Sequence, residues 1–237
     1  MTVRLSCFVT PAPLIAARER GLLDHVDLVE LRSSGSPGQL RGLLDGELDG
    51  AVTAMDNLFA WVGAGTELAL VGQVEPTTPL AFIARGGLQD LTDLAGRRVA
   101  VDAFDNGFSL AARHLLAEHG IEPEWHEVGG VRERYDALIA GTTDATLLGP
   151  PFDDDALDAG CELLARVQDS HPAFPGQGLV VRADRLGDPE VRAVLGALVA
   201  GGLLPVDPAG LDVLVRIRRE LGLLADDVGF PTILRSP

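Results

Sequence analysis

The feature that most constrains this chain is that it repeats itself. Leu-Leu-Asp-Gly-Glu-Leu-Asp-Gly-Ala-Val, Leu43 to Val52, is echoed by Leu-Ile-Ala-Gly-Thr-Thr-Asp-Ala-Thr-Leu, Leu138 to Leu147. Each copy reads apolar pair, one residue, Gly, two residues, Asp, then an apolar strand. Gly46 and Gly141 fit the position just past a helix end, where a left-handed residue closes the last turn, and Asp49 and Asp144 each enter a short buried strand.

The same order extends upstream in both copies. Arg4 to Phe8 reads as a strand leading through Thr10, Pro11 and Pro13 into an Ala-rich helix that ends at Gly21. Arg97 to Val101 reads as a strand leading through Asp102 to Gly107 into a helix that ends at Gly120. Second strands follow at Val26 to Leu31 and Trp125 to Val128, then Gly-containing loops (33–38; Gly129 and Gly130) and the second helix. Two tandem β-α-β-α-β units predict an α/β protein of two Rossmann-like lobes with parallel sheets and right-handed crossovers. Leu68 to Ala84, around Glu75 to Pro79, and Gly178 to Val181 are the strand-like runs between them. The chain is thus expected to leave the first lobe once and return once. Lobe I is placed at residues 1–82 and 182–237 and lobe II at 83–181, with two hinge crossings and a ligand cleft between the lobes. Helices are expected from about Asp188 to Gly201 and Asp207 to Leu221.

Composition removes several functions. At 237 residues, 46% hydrophobic and 23% charged, the chain can bury a core. All 19 basic residues are Arg, so no amine is present for a Schiff base and no Lys for a phosphate-cradling Walker loop. A net charge of −16, with the arginines scattered, argues against nucleic acid and anionic membrane as partners. No run approaches a membrane span, so no membrane insertion is expected, and oligomeric state stays open. The start, Met1 to Val9, goes directly into a strand-like stretch without the marks of a secretory signal. That predicts a cytoplasmic protein if Met1 is the native start, and an exported one with its signal trimmed otherwise. Cys7 and Cys161 are either two buried thiols or a bridge.

Candidate ligand-binding residues are those in loops that leave a strand and enter a helix, where unpaired N–H groups favour an anion. In the first copy these are Phe8, Thr10, Ser33, Ser34, Ser36, Met55, Asp56 and Asn57; in the second, Asp105, Asn106, Ser109, Pro150 and Phe152, with Asp102, Gly129 and Gly130 beside them. Ser36 before Pro37 also reads as a helix N-cap, Asp56 or Asn57 as a cap of the next helix, and Asp105-Asn106-Gly107 as a turn. Asp153, Asp154 and Asp155 read as solvated acids at a helix start. Phe8 and Phe152 are the favoured aromatic clamps, against core packing as the alternative. Candidate acids and bases are Asp56, Asp105, Glu75 and His171. No metal motif is present, since His114 and His119, five apart, do not share a helix face. No organic cofactor is implied.

The order of elements resembles the type II periplasmic-binding-protein fold, in the branch that includes bacterial alkanesulfonate- and thiamine-pyrimidine-precursor-binding proteins. The residues that carry the resemblance are Asp90 to Val101 (Asp-Leu-Thr-Asp-Leu-Ala-Gly-Arg-Arg-Val-Ala-Val), Leu147 to Phe152 (Leu-Leu-Gly-Pro-Pro-Phe) and Pro172 to Arg182 (Pro-Ala-Phe-Pro-Gly-Gln-Gly-Leu-Val-Val-Arg). The resemblance implies a solute-binding-protein-like receptor for a small, acidic organic molecule. Relatives of the fold that are intracellular enzymes give the alternative, a cofactor-independent lyase of the decarboxylase or dehydratase type acting on a small carboxylate. The cysteine-rich cluster of the fungal thiamine-pyrimidine synthases is absent, so their chemistry is not implied.

Overall fold

The computed structural model describes residues 2–65, 67–105 and 107–235. In chain order its elements are β1 (Val3–Cys7), α1 (Ala12–Glu19), β2 (Leu28–Arg32), α2 (Ser36–Leu44), β3 (Gly50–Thr53), α3 (Asn57–Gly63), β4 (Leu68–Gln73) and β5 (Ala81–Ala84). Then come β6 (Arg98–Val101), α4 (Ser109–Glu118), β7 (Glu124–Glu127), α5 (Val131–Ile139), β8 (Ala145–Leu148), α6 (Phe152–Asp158), β9 (Glu162–Arg166) and α7 (Val167–Ser170). Last are β10 (Gly178–Arg182), α8 (Pro189–Ala200) and α9 (Pro208–Glu220).

Two compact units result. Unit 1 takes the residues up to Thr77, Pro175–Pro208 and those from Phe230 on; unit 2 takes Thr78–Phe174 and Ala209–Gly229. The chain therefore passes between units after Thr77, Phe174, Pro208 and Gly229, four times where the sequence pattern leads one to expect two. The boundaries expected at 82 and 182 also differ, because the whole of β5 belongs to the sheet of unit 2 and the whole of β10 to that of unit 1. The extra excursion is α9. Its apolar residues Leu211, Leu214 and Ile217 are buried, and its polar residues Arg216, Arg218 and Glu220 bond to His171, Asp105 and His114 of unit 2. Periodicity marks such a helix without telling which sheet it covers.

Unit 1 is built on a five-stranded sheet of order β2-β1-β3-β10-β4, unit 2 on one of order β7-β6-β8-β5-β9. The first three strands of each sheet run parallel, as βαβ crossovers require, and the fourth, β10 or β5, runs antiparallel to both neighbours. The sheets are thus mixed rather than wholly parallel. Strand β9 was not foreseen: Glu-Leu-Leu-Ala-Arg at a largely exposed edge lacks the continuous apolar run of a central strand. Residues Leu5, Val52, Leu179 and Val181 of the first sheet pack on Leu14 and Ala17 of α1 and Val194, Leu195 and Leu198 of α8. In unit 2, Ala81, Ile83 and Leu148 pack on Leu138 of α5 and on Phe152 and Ala156 of α6.

The two repeat signatures close helices as expected. Gly46 and Gly141 have φ of 71° and 73°, a region costly for any residue with a Cβ, and each follows α2 or α5 so that the chain can turn back into β3 or β8. No described helix is long and apolar enough to cross a membrane.

Candidate functional site

In a parallel sheet, each strand hands its chain to a helix at the same edge, so helix N–H groups and loop side chains collect there. In unit 1 that edge follows β1, β2 and β3. After β1, Phe8 is half-buried, and the Thr10 hydroxyl donates to Glu30 Oε1 at 2.6 Å. Glu30, on β2, also accepts from Cys7 Sγ at 3.0 Å and from Arg18 at 2.6 Å. Burial works against ionisation of Glu30, yet these three donors together hold its carboxyl below the usual range. The same geometry pushes the Cys7 thiol far up, through burial first and then the bond and charge of Glu30. Cys7 is an inert thiol, and Cys7 and Cys161 are both free.

After β2, the Ser33 hydroxyl folds back on its own loop, donating to the Gly35 carbonyl at 2.9 Å and accepting from the Gly35 N–H at 3.2 Å. Ser34 is exposed. The N-cap of α2 is Gly35, in extended backbone, so Ser36 is the first helical residue and Pro37 the second, one place later than the capping reading predicts. Ser36 is 0% exposed, and among the described residues its Oγ has no hydrogen-bond partner. Gln39, one turn on, donates to the Val52 carbonyl of β3 at 3.0 Å and to Ser6 Oγ at 3.4 Å, while its Oε1 has no partner among the described residues. After β3, Met55 is core: it fills the space above Gly178, where a Cβ would lie 2.6 Å from Met55 Cγ. Asp56 is buried ahead of α3 as its N-cap residue, its side chain not bonded to the first turn of the helix. Asn57 donates to Thr53 Oγ1 at 2.7 Å and keeps a buried Oδ1 without a partner among the described residues. Buried polar atoms are nearly always satisfied, so Ser36, Gln39 and Asn57 mark one edge of unit 1 as short of partners.

In unit 2 the corresponding edge follows β6, β7 and β8. Asp102 has a buried Oδ1 without a partner among the described residues. Asp105 is exposed and held by Arg113 at 2.7 Å; the same guanidinium sits 3.9 Å over the Phe104 ring and donates to the Phe104 carbonyl. Asn106 lies outside the described residues. Ser109 is buried at the start of α4. Between Gly129 and β8 the buried guanidinium of Arg134 donates to the Gly129 and Leu147 carbonyls, both at 3.2 Å. Burial lowers its pKa, and the charges of Asp102 and Glu133 oppose that.

Pro150 is exposed, joined by a cis bond to Pro151. Phe152, favoured from sequence as a clamp, is 5% exposed and packs in the core, 5.5 Å from the Tyr135 ring and with the Arg132 guanidinium over its own ring at 4.7 Å. Phe108 likewise packs on Phe174. Of the three acids opening α6, Asp153 is buried with a partnerless Oδ1 while Asp154 and Asp155 face solvent, so the solvated reading fails at Asp153.

Two candidates for acid–base work stand in other surroundings. Glu75, beyond β4, uses its carbonyl to accept from Gln73 at 3.0 Å and its carboxylate to receive the Gln177 N–H at 3.4 Å. His171, the other candidate acid or base, is buried behind α4. Its Nε2 lies 3.2 Å from His114 Nδ1, and Arg216 reaches its Nδ1 at 3.3 Å. Burial and the neighbouring His114 lower its pKa. Sequence reasoning missed Gln39 and Arg134. The signal was available: extending the repeat upstream by four residues from Leu43 and Leu138 lands on them.

A family model described as NMT1/THI5 like matches residues 10–199. The chain belongs to the NMT1/THI5-like family. No curated protein matches it by sequence. Among solved structures, this NMT1/THI5-like chain is similar to the alkanesulfonate-binding protein SsuA from Xanthomonas axonopodis pv. citri bound to MOPS, with TM-score 0.77 at 20% identity over 100% of this chain and 98% of that one. PhnD1 from Prochlorococcus marinus (MIT 9301), in complex with methylphosphonate, gives TM-score 0.70 at 12% identity over 94% and 99%. The periplasmic aliphatic sulphonate binding protein SsuA from Escherichia coli gives 0.62 at 16% over 94% and 75%. At these identities the likeness is one of fold, the periplasmic-binding-protein fold expected from the sequence.

Proposed function

We propose that this chain binds a small organic molecule bearing an acidic group, and that the acidic group is taken at the edge of unit 1 by the hydroxyl and the backbone N–H of Ser36, since Pro37 has no N–H and those of Gly38 and Gln39 turn to the Gly35 carbonyl. The observation that carries this reading is Ser36: a hydroxyl with no exposed surface and no partner, on the first turn of a nine-residue helix. A helix start supplies donors and a favourable dipole, and a buried hydroxyl without a partner asks for one. Gln39 and Asn57 supply polar atoms for the rest of the guest, with Phe8 as its apolar contact. Asp102, Asp105, Asn106, Ser109 and Pro150, the candidates of unit 2, stay in the proposal as further contacts. The sulfonate and phosphonate named for the neighbours make those two groups the first to try. Export belongs to the same proposal, supported by a neighbour described as periplasmic.

The test is calorimetric titration with short alkanesulfonates, alkylphosphonates and carboxylates, each mixture then checked by mass spectrometry. Ser36→Ala deletes a hydroxyl that makes no bond in the free protein. The melting temperature without ligand therefore holds, while affinity falls by about tenfold or more, the weight of one bond to a charged group. Unchanged affinity in Ser36→Ala, or no binding of any of the three classes, overturns the reading. Conversion of a bound acid would replace the binder with the lyase. That chemistry wants a paired acid and base in a dry pocket, whereas Asp105 is solvated beside Arg113 and His171 is committed to His114.

A further inference from the structure

Away from the strand ends, unit 2 gathers two imidazoles and a carboxylate that the ligand reading does not use. His114 and Glu118 lie four apart on α4, hence on one face. His171 follows α7 in the chain and packs against that face. His171 Nε2 is 3.2 Å from His114 Nδ1, Glu118 Oε2 is 3.7 Å from the same nitrogen, and all three ligating atoms lie within 4.8 Å of one another.

We propose that His114, Glu118 and His171 form a site for a divalent transition-metal ion of the zinc type. Zn–N and Zn–O bonds of about 2.0–2.2 Å in a tetrahedron put neighbouring ligand atoms about 3.3–3.5 Å apart, close to the spacing found. Two imidazoles and a carboxylate are the donor set such ions take, whereas calcium and magnesium prefer oxygen alone. The other nitrogen of His114, Nε2, meets the Glu220 carboxylate from α9. A carboxylate there keeps the proton on Nε2, fixes the ring and leaves Nδ1 as a bare lone pair facing the site. Both rings are 3% exposed, while Glu118 is exposed at the rim, which leaves the fourth position to water.

The charges around the site are Glu118, Glu220 and Arg216, one negative in sum. Arg216 is the competitor. Without metal its guanidinium donates to His171 Nδ1, so the ring proton sits on Nε2 and is donated to His114 Nδ1. With metal on Nε2 that proton moves to Nδ1, and Arg216, exposed on α9, gives up its contact. The bound ion would clip α4 to the segment after α7 and, through His114 and Glu220, to α9.

The whole chain, stripped with chelator, is titrated with Co²⁺ and Zn²⁺. Expected are one equivalent bound, visible absorption of tetrahedral Co²⁺, and its bleaching by Zn²⁺. His114→Gln and His171→Gln are expected to weaken binding by about a hundredfold or more and Glu118→Gln by about tenfold, while His126→Gln leaves it unchanged. Arg216→Ala binds more tightly, and it keeps the proposal testable if the buried histidine variants do not fold. Absence of the Co²⁺ spectrum from the wild-type chain, binding that survives His171→Gln, or an Arg216→Ala chain that binds no better overturns it.

Discussion

In unit 1 the Asp49 carboxylate accepts the N–H of Arg4 at 2.8 Å, and the Arg4 guanidinium reaches back to the Gly46 carbonyl; in unit 2 Asp144 does the same for Arg98, whose guanidinium reaches Gly141. Strand register confirms the match, Leu5 lying against Gly50 as Val99 lies against Ala145. The antiparallel strands agree too, with Arg182 N–H on the Asp49 carbonyl and Arg85 N–H on that of Asp144. The units are therefore alike where the parallel strands begin. At the opposite edge they part. Gln39 and Arg134 both donate to the carbonyl of the third residue of the middle strand, Val52 or Leu147, but one is neutral and the other charged. Register puts Phe8 opposite Asp102, Glu30 opposite Trp125 and, by helix position, Ser36 opposite Val131. A scaffold was kept at one end of the strands while the other end diverged, and the diverged end is where the fold offers its helix N–H groups.

The largest effect should come from making the edges alike. Gln39→Arg places a guanidinium where the counterpart of Asp102 is Phe8, and a buried charge without that partner is expected to cost about 3–5 kcal/mol in denaturant unfolding. Adding Phe8→Asp should recover part of that loss. Additive effects of the two changes would break the inferred link between the charge of Arg134 and that of Asp102.

The next comparison probes the conserved end. Asp49 is 1% exposed and also holds the buried Arg185, so Asp49→Ala is expected to cost about 3 kcal/mol in urea unfolding. Asp144→Ala costs well under half as much, since Arg98 remains solvated on losing its partner. Equal losses would show that the second arginine in unit 1 is idle.

The smallest effect is the share of the acid pH slope that Glu30 gives unit 1. The Glu30 carboxyl is held below its ordinary value, so as pH falls the unfolded chain takes up this proton before the folded one. The stability it lends is complete above the unfolded value, about 4.5, and is lost as pH falls through the lower folded value. Glu30→Gln should make thermal melting less steep against pH in that acid window and, by easing ionisation of Cys7, in the alkaline range as well. Trp125, its counterpart, has no proton to exchange.

The part of this molecule legible in its sequence is the part governed by short-range physics. Gly46 and Gly141 had to be glycines just past a helix, and Asp49 and Asp144 mark the strands that follow. These fixed the element order of both units and hence the fold. What stayed hidden depends on distance along the chain. His114 was weighed against His119, its neighbour on the helix, and its partner proved to be His171, far along the chain. Phe152 stands in a strand-end loop by position, yet Tyr135 and Arg132 enclose it from α5. Asp153 looked like its two neighbours until the packing of α6 turned it inward. In each case the deciding contact comes from an element that periodicity detects but does not place.

The route of the chain past α9 has a consequence for how the molecule is made. Residues 233–235 run beside β4 and bond to Leu70, after the chain has already left for unit 2 and returned. Neither unit corresponds to an uninterrupted stretch of gene. During synthesis the first sheet must wait, with one flank unzipped, until its neighbour's last helix has been threaded, so a nascent chain halted near residue 205 should be a better client for chaperones than for ligand.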